Sequence, residues 1–158
     1  MMGKSVTDII EQYLKDKIEE SERGKAEIKR SEIAEKFQCV PSQINYVINT
    51  RFTVERGYSV ESKRGGGGYI RIYRIEMHSK FDVLNHALEE LESGASSTVA
   101  EDLIRLLHEE QVITDREARL MLAATARDTI LQPLPERDYL RARILEAMIR
   151  TLLFEKQY

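Results

Sequence analysis

The sequence lacks most features that would betray a function at once. It has one cysteine, which excludes an internal disulfide framework. It has no apolar run approaching the about 20 residues of a membrane-spanning helix, and its start, Met1 to Thr7, is polar and carries no secretion signal. Together these lacks predict a cytoplasmic protein with no membrane partner. Its three histidines, His78, His86 and His108, stand at no ligand or triad spacing, and His108-Glu109-Glu110 lacks the second histidine of a zinc-protease helix. The one glycine run, residues 65–68, lacks the Gly-Lys-Ser/Thr ending of a phosphate-binding loop and precedes a strand pattern instead of a helix. The expectation is therefore no enzyme, no catalytic residue, no metal and no cofactor. Tryptophan is absent, and 158 residues suffice for one good core or two small ones.

What is present concentrates between Ser31 and Ile75. With Ala34 taken as the small residue at a helix crossing, Ile33, Phe37, Cys39, Ile44 and Val47 fall at −1, +3, +5, +10 and +13. That is the buried-position spacing of a helix-turn-helix, whose second helix lies in the DNA major groove. Ser31 suits the N-cap of the first helix, with Glu32 in its first turn, and Pro41-Ser42 opens the second. With Ile44, Val47 and Ile48 inward, Ser42, Gln43, Tyr46 and Asn49 point outward, and Asn or Gln can pair bidentately with adenine. Gln38 occupies a turn position where glycine is common, so the turn must take a conformation glutamine tolerates. Cys39 is expected as a small buried residue at that turn. Two amphipathic helices of a generic bundle would share part of this pattern.

The next stretch favours the helix-turn-helix. Residues 58–63 and 69–75 alternate with period two and are rich in strand formers, with Tyr69, Arg71 and Tyr73 on one face and Ile70 and Ile72 on the other. A hairpin directly after a recognition helix is a wing, which lies against the backbone or in the minor groove, where arginine is the favoured reader. Lys63 and Arg64 lead into the tip Gly65, Gly66, Gly67 and Gly68, which holds four of the eight glycines and lets main chain approach its target closely. A plain solvent loop is the competing reading of that tip.

Charge supports the same division. Residues 1–78 carry 14 Lys+Arg against 12 Asp+Glu, whereas residues 79–158 carry 10 against 15. Within residues 23–74 the excess is +6, and phosphate binding follows local charge, not the whole-chain net of −3. A first helix is predicted over 5–20, capped by Ser5, with Val6, Ile9, Ile10, Tyr13, Leu14 and Ile18 as its apolar stripe. Residues 21–30 form a polar connection in which Ile28 starts a short strand against the wing, and Lys25, Lys29 and Arg30 are candidate phosphate contacts. In the link from Thr50 to Gly57, Phe52 and Val54 should anchor the chain while one of Arg51 and Arg56 reaches phosphate, Arg51 being the one assigned to DNA.

From Ser79 onward only helical spacing remains. Phe81, Leu84, Leu88 and Leu91 share a face; Thr98 to Glu101 and Thr114 to Glu117 read as capping boxes; Gln132-Pro-Leu-Pro135 ends the third helix. The last is predicted from about Pro135 to about Lys156, with a stripe of Leu140, Ile144, Leu145, Met148, Ile149 and Leu152. Eighty residues make a marginal core alone, the last stripe is wide, and the small residues Ala123 to Ala126 permit close helix approach. The fold class expected is α+β: a winged helix-turn-helix DNA-binding domain over 1–76 and an all-α four-helix dimerisation domain over 77–158. The partners are double-stranded operator DNA and a second copy of the chain.

The run Gln38 to Tyr58, with Arg64-Gly65-Gly66-Gly67-Gly68 after it, resembles the CtsR family, class three stress gene repressors of low-GC Gram-positive bacteria. The resemblance spans essentially the whole chain and is most specific between Gln38 and Tyr73. It implies a repressor of clp protease and chaperone genes that occupies tandem direct repeats and leaves DNA on heat stress. It further implies a protein-arginine kinase and the Clp protease machinery as partners, wing contact by Arg64, and heat sensing by Gly65 to Gly68. The residues alone leave a rival, a protein–protein adaptor of winged fold without sequence-specific DNA binding. A second rival is an arginine-phosphorylation substrate whose main role is regulated turnover. A magnitude bounds the sensing: ordering four glycines on DNA costs roughly 6 kcal/mol of backbone entropy, and warming by about 15 K raises that by only about 0.3 kcal/mol per wing. Glycine entropy alone is too small a switch, so the whole hairpin must loosen cooperatively.

Overall fold

The computed structural model describes residues 4–63 and 68–154, and the chain divides into two compact units, Met1–Glu76 and Met77–Tyr158.

The first unit opens with helix α1, Val6–Glu20. Ser5 Oγ accepts from the Asp8 amide and the Asp8 carboxylate accepts from the Ser5 amide, a closed capping box that satisfies two amides with no partner inside the helix. Ile10, Leu14 and Ile18 make the buried stripe, while Val6 and Ile9, expected in it, are exposed. They lie at the edge of a stripe that is narrower than the run of apolar residues. Strand β1, Lys25–Ile28, ends at Ile28 instead of starting there. Helix α2, Arg30–Lys36, follows immediately, so its N-cap is Lys29 and not Ser31; the Lys29 carbonyl accepts from the Glu32 and Ile33 amides, and no side chain caps it.

Helix α3, Pro41–Arg51, starts on its proline as expected, and buries Ile44, Val47 and Ile48 against Ile33 and Ala34 of α2 and the stripe of α1. Phe37 and Cys39 are half-buried at the rim of this core, and Phe37 meets Tyr13 edge-on with centroids 5.2 Å apart. Between the helices Gln38 has φ +51°, and the Cys39 amide donates back to the Ala34 carbonyl at 2.9 Å. The left-handed region costs a side-chain-bearing residue roughly 1–2 kcal/mol, partly offset by the unfolded-state entropy glycine would add. Gln38→Gly is therefore expected to raise the thermal midpoint of this unit by a few degrees in a circular-dichroism melt. A lowered midpoint would show that the glutamine side chain makes up for its strained backbone.

The wing hairpin follows, β2 Tyr58–Lys63 and β3 Tyr69–Arg74, with β3 central in an antiparallel sheet of order β1-β3-β2. The register sets Ile28 opposite Ile70, and Ala26 and Val60 on either side of Ile72, which puts the apolar face of the sheet on the core. In the link, Phe52 is buried and meets Tyr58 edge-on at 4.9 Å, but Val54 is 44% exposed, so one residue anchors the link where two were expected.

The second unit contains four helices among the described residues: α4 Lys80–Glu90, α5 Ser97–Glu109, α6 Asp115–Thr125 and α7 Glu136–Leu153. The face of α4 that packs inward is Val83, Leu84, Ala87 and Leu91, and Phe81 is exposed. Helix α5 is capped by Ser96, whose Oγ accepts from the Val99 amide, and not by Thr98. The box from Thr114 to Glu117 closes as expected. Helix α6 stops at Thr125, well short of Pro133, because residues 127–129 turn back and the Thr129 and Ile130 amides both donate to the Ala126 carbonyl. Helix α7 follows Pro135 and is described to Leu153; Lys156 lies outside the described residues. Its buried residues are Arg141, Ala142, Leu145 and Ile149, so the inward face is centred away from Leu140 and Ile144, which are half-buried. No described helix is long and apolar enough to cross a membrane.

Candidate nucleic-acid interface

The solvent face of α3 carries Ser42, Asn45, Tyr46 and Asn49, all exposed, with Tyr46 at 54%. These positions follow the i, i+3, i+4, i+7 spacing of one helical face. Asn45 belongs to that face and was not singled out in the sequence, although the spacing from Ser42 and Asn49 marks it. Gln43, expected outward, is half-buried: its Nε2 donates to Thr7 Oγ1 at 2.9 Å and ties α3 to α1. The Thr50 hydroxyl donates to the Tyr46 carbonyl at 2.6 Å, which leaves the last turn of α3 with a satisfied hydroxyl.

The arginines of the link turn back onto α1. Arg51 Nη1 stands 3.3 Å from Glu11 Oε1 and 3.7 Å from Asp8 Oδ1, and Arg56 Nη1 stands 3.6 Å from the same Glu11 oxygen. The structure thus pairs Arg51, the residue assigned to phosphate, with two carboxylates of its own chain. Glu11 and Asp8 gave no sign of this in the sequence, because the contact spans about forty residues.

On the wing, Lys63 is exposed and its ammonium lies 6.0 Å from the centre of the Tyr69 ring. Gly68 is described and half-buried, whereas Arg64, Gly65, Gly66 and Gly67 lie outside the described residues. The outer face of the sheet holds the alternating set expected of it. Arg71 Nε donates to Glu27 Oε2 at 3.0 Å and its guanidinium stacks 4.7 Å over Tyr69, while the Tyr73 hydroxyl donates to Glu61 Oε2 at 3.2 Å. The hydrogen bond to Glu27, and then that to Tyr73, push the Arg71 pKa above its ordinary value, so this guanidinium stays charged at every working pH.

At the base of the wing, Lys29 is exposed and Arg30 is half-buried. Arg30 Nε donates to Asn45 Oδ1 at 2.6 Å, and its Nη2 lies 3.5 Å from Ser62 Oγ. Cys39 is free and half-buried. Among the described residues no three of His, Cys, Asp and Glu gather as a metal site. What the surface offers is hydrogen-bonding and cationic side chains on a helix and an adjoining hairpin.

A helix pair with a polar outward face, followed directly by a hairpin packed through one apolar face, defines a winged helix-turn-helix protein, here joined to a helical unit. Residues 5–76 match the CtsR N-terminal HTH domain and residues 79–150 the CtsR C-terminal dimerization domain. The chain belongs to the CtsR family. It is 55% identical to the transcriptional regulator CtsR of Geobacillus stearothermophilus over 96% of this chain and 99% of the relative. It is 53% identical to that of Bacillus subtilis strain 168 over 96% and 98%, and 46% identical to that of Staphylococcus aureus over 92% and 95%. A crystal structure of CtsR in complex with a 26-base-pair DNA duplex superposes with a TM-score of 0.87 and 55% identity, covering 96% of this chain and all of that one. The family's members are named transcriptional regulators, not enzymes.

Proposed function

We propose that the chain is a dimeric repressor of heat-shock genes, those of clp proteases and chaperones, acting in the cytoplasm and leaving its operator on heat stress. The likeness to a CtsR solved on a DNA duplex, at 55% identity over nearly the whole chain, supports the DNA-binding part of this reading, and the family resemblance implies the clp targets and the release on heat. Residues 1–76 are the DNA-binding domain and 77–158 the dimerisation domain. Helix α3 reads the major groove through Ser42, Tyr46 and Asn49, with Asn45 beside them. Lys63, Arg64 and the glycines 65–68 meet the minor groove, and Lys29 meets phosphate. Arg51 shares its charge between Glu11 and the DNA backbone, since a phosphate competes well with a partly exposed ion pair. Gln43 braces α3 instead of reading a base. A protein-arginine kinase and the Clp machinery act on the repressor, as the family resemblance implies.

Dimerisation multiplies affinity. Two winged units on one operator make the second contact intramolecular, which adds about 10²–10⁴ to apparent affinity without any new contact. A two-fold dimer matches a palindrome most simply, so tandem direct repeats require one winged unit to rotate on the connection near Met77 to Ser79, or a pseudo-symmetric operator.

Gel-shift titration of a clp-promoter fragment and a scrambled duplex tests the reading, with Arg64→Ala as the wing variant. Specific binding that Arg64→Ala abolishes is the expected result; equal, weak binding to both duplexes would sink it. Heat release has its own test. Gly66→Val should retain operator binding at low temperature and lose the heat response. An unchanged response would move the sensor to the helical unit.

A further inference from the structure

A winged helix-turn-helix reads DNA with two parts that must keep a set distance, the recognition helix and the hairpin. In this chain they are joined by residues 52–57, a link held by the buried Phe52, by Arg56 at Glu11 and by the Ile75 amide donating to the Gly57 carbonyl at 2.8 Å. Ile70 and Ile72 seat the hairpin on the shared core, and a contact on the DNA side can further fix the exposed end of β2 against α3.

Arg30 stands at that place. It is the first residue of α2, two residues past the end of β1, so its backbone is fixed by the sheet on one side and by a helix on the other. Its Nε donates to Asn45 Oδ1 of α3 at 2.6 Å, a short bond. Its Nη2 reaches toward Ser62 Oγ of β2 at 3.5 Å, one residue before Lys63. The guanidinium is planar, and the angle between its donors cannot change. One such group between an acceptor on the recognition helix and an acceptor on the wing strand therefore sets their separation. A lysine has the same charge but one compact, freely turning head, and would not.

We infer that Arg30 is a positioning residue that sets the wing against the recognition helix, and so carries sequence discrimination more than phosphate neutralisation. The inference rests on the DNA-reading function proposed above. The two roles separate cleanly in binding data. A phosphate contact contributes alike to every sequence and adds about 0.9 to the salt slope, and lysine serves it nearly as well. A spacer between two readers matters only where both must engage bases in register, so it contributes to operator binding and hardly to scrambled DNA.

The experiment is equilibrium binding of the full chain to an operator duplex and a scrambled duplex of equal length over a salt series. The variants are Arg30→Lys, Asn45→Ala, their double, and Ser62→Ala as a mild change at the far end of the fork. Arg30→Lys is expected to weaken operator binding by roughly tenfold, with scrambled binding and the salt slope unchanged. The double variant should bind like Asn45→Ala alone, since Arg30 acts through the side chain that Asn45→Ala removes. Ser62→Ala should weaken operator binding in the same direction and, as an exposed serine, leaves the fold intact. Wild-type discrimination retained by Arg30→Lys, or losses that add fully in the double, would overturn the positioning role alone. Wild type binding both duplexes alike would overturn the underlying DNA-reading function instead.

Discussion

Arg141→Ala is expected to cost the helical unit about 3–5 kcal/mol, the range for stripping the partner from a buried charged network. Arg141 is 1% exposed, the most deeply placed charge among the described residues. Its Nε donates to the Thr125 carbonyl at 2.8 Å, and its Nη1 to the Ala95 carbonyl at 3.0 Å and to Asp138 Oδ1 at 2.8 Å. Thr125 ends α6 and Ala95 precedes the cap of α5, so one side chain satisfies carbonyls at two helix ends while neutralising a carboxylate one turn earlier on α7. Alanine would leave both carbonyls buried without a donor and open a void as large as the side chain. Arg141→Lys should cost nearly as much, because one ammonium cannot span three acceptors set apart by the fork. A domain of ordinary stability has about 5–15 kcal/mol to lose. The expected readout is a urea midpoint for the second unit that falls steeply while the first unit's transition stays in place. An unchanged midpoint would mean that water enters and replaces the guanidinium.

Asn49→Ala is expected to weaken operator binding by on the order of 30-fold to 10⁴-fold and to leave scrambled DNA nearly unaffected. One bidentate base contact discriminates by about 1–3 kcal/mol, and a dimer loses it twice. Asn49 is exposed on the third turn of α3, on the face shared by Ser42, Asn45 and Tyr46, and far enough from the core that the fold should not change. Competition between operator and scrambled duplex for the variant measures the effect. Equal weakening on both would place Asn49 on the DNA backbone instead of a base.

Much of this was legible in the sequence, and what was not has physical causes. The capping boxes at Ser5 and Thr114 and the proline at the head of α3 are local signals, and each formed where its residues stand. Period two in residues 69–74 translated directly into Ile70 and Ile72 buried and Tyr69, Arg71 and Tyr73 outward. The tension at Gln38 also showed early, as a side chain where the turn favours glycine, and the positive φ is its result. Ser31 and Thr98 looked like caps but are not, because the preceding elements, β1 and the Ser96 cap, start each helix sooner than its local pattern implies. Val6, Ile9 and Phe81 show the limit of reading apolar stripes: spacing gives a face, but how wide a face is buried depends on what packs there.

The charged residues were the hardest. Arg141 sits within a helix of mixed polarity, and nothing local separates a buried arginine from an exposed one such as Arg143. Its role depends on carbonyls sixteen and forty-six residues away. Charge and position beside the helix pair mark Arg30 and Arg51 as candidate DNA contacts, whereas their partners Asn45, Glu11 and Asp8 come from elements distant in sequence. Charge excess locates a basic unit, but only the fold says which cations are already engaged.

The most direct test is the affinity of the full chain for a clp-promoter duplex and for a scrambled duplex, each measured over a series of salt concentrations. A sequence-specific repressor should prefer the operator by at least about 10³ and lose affinity linearly in log salt on both duplexes. Equal affinity for the two, or binding that salt does not weaken, would contradict it.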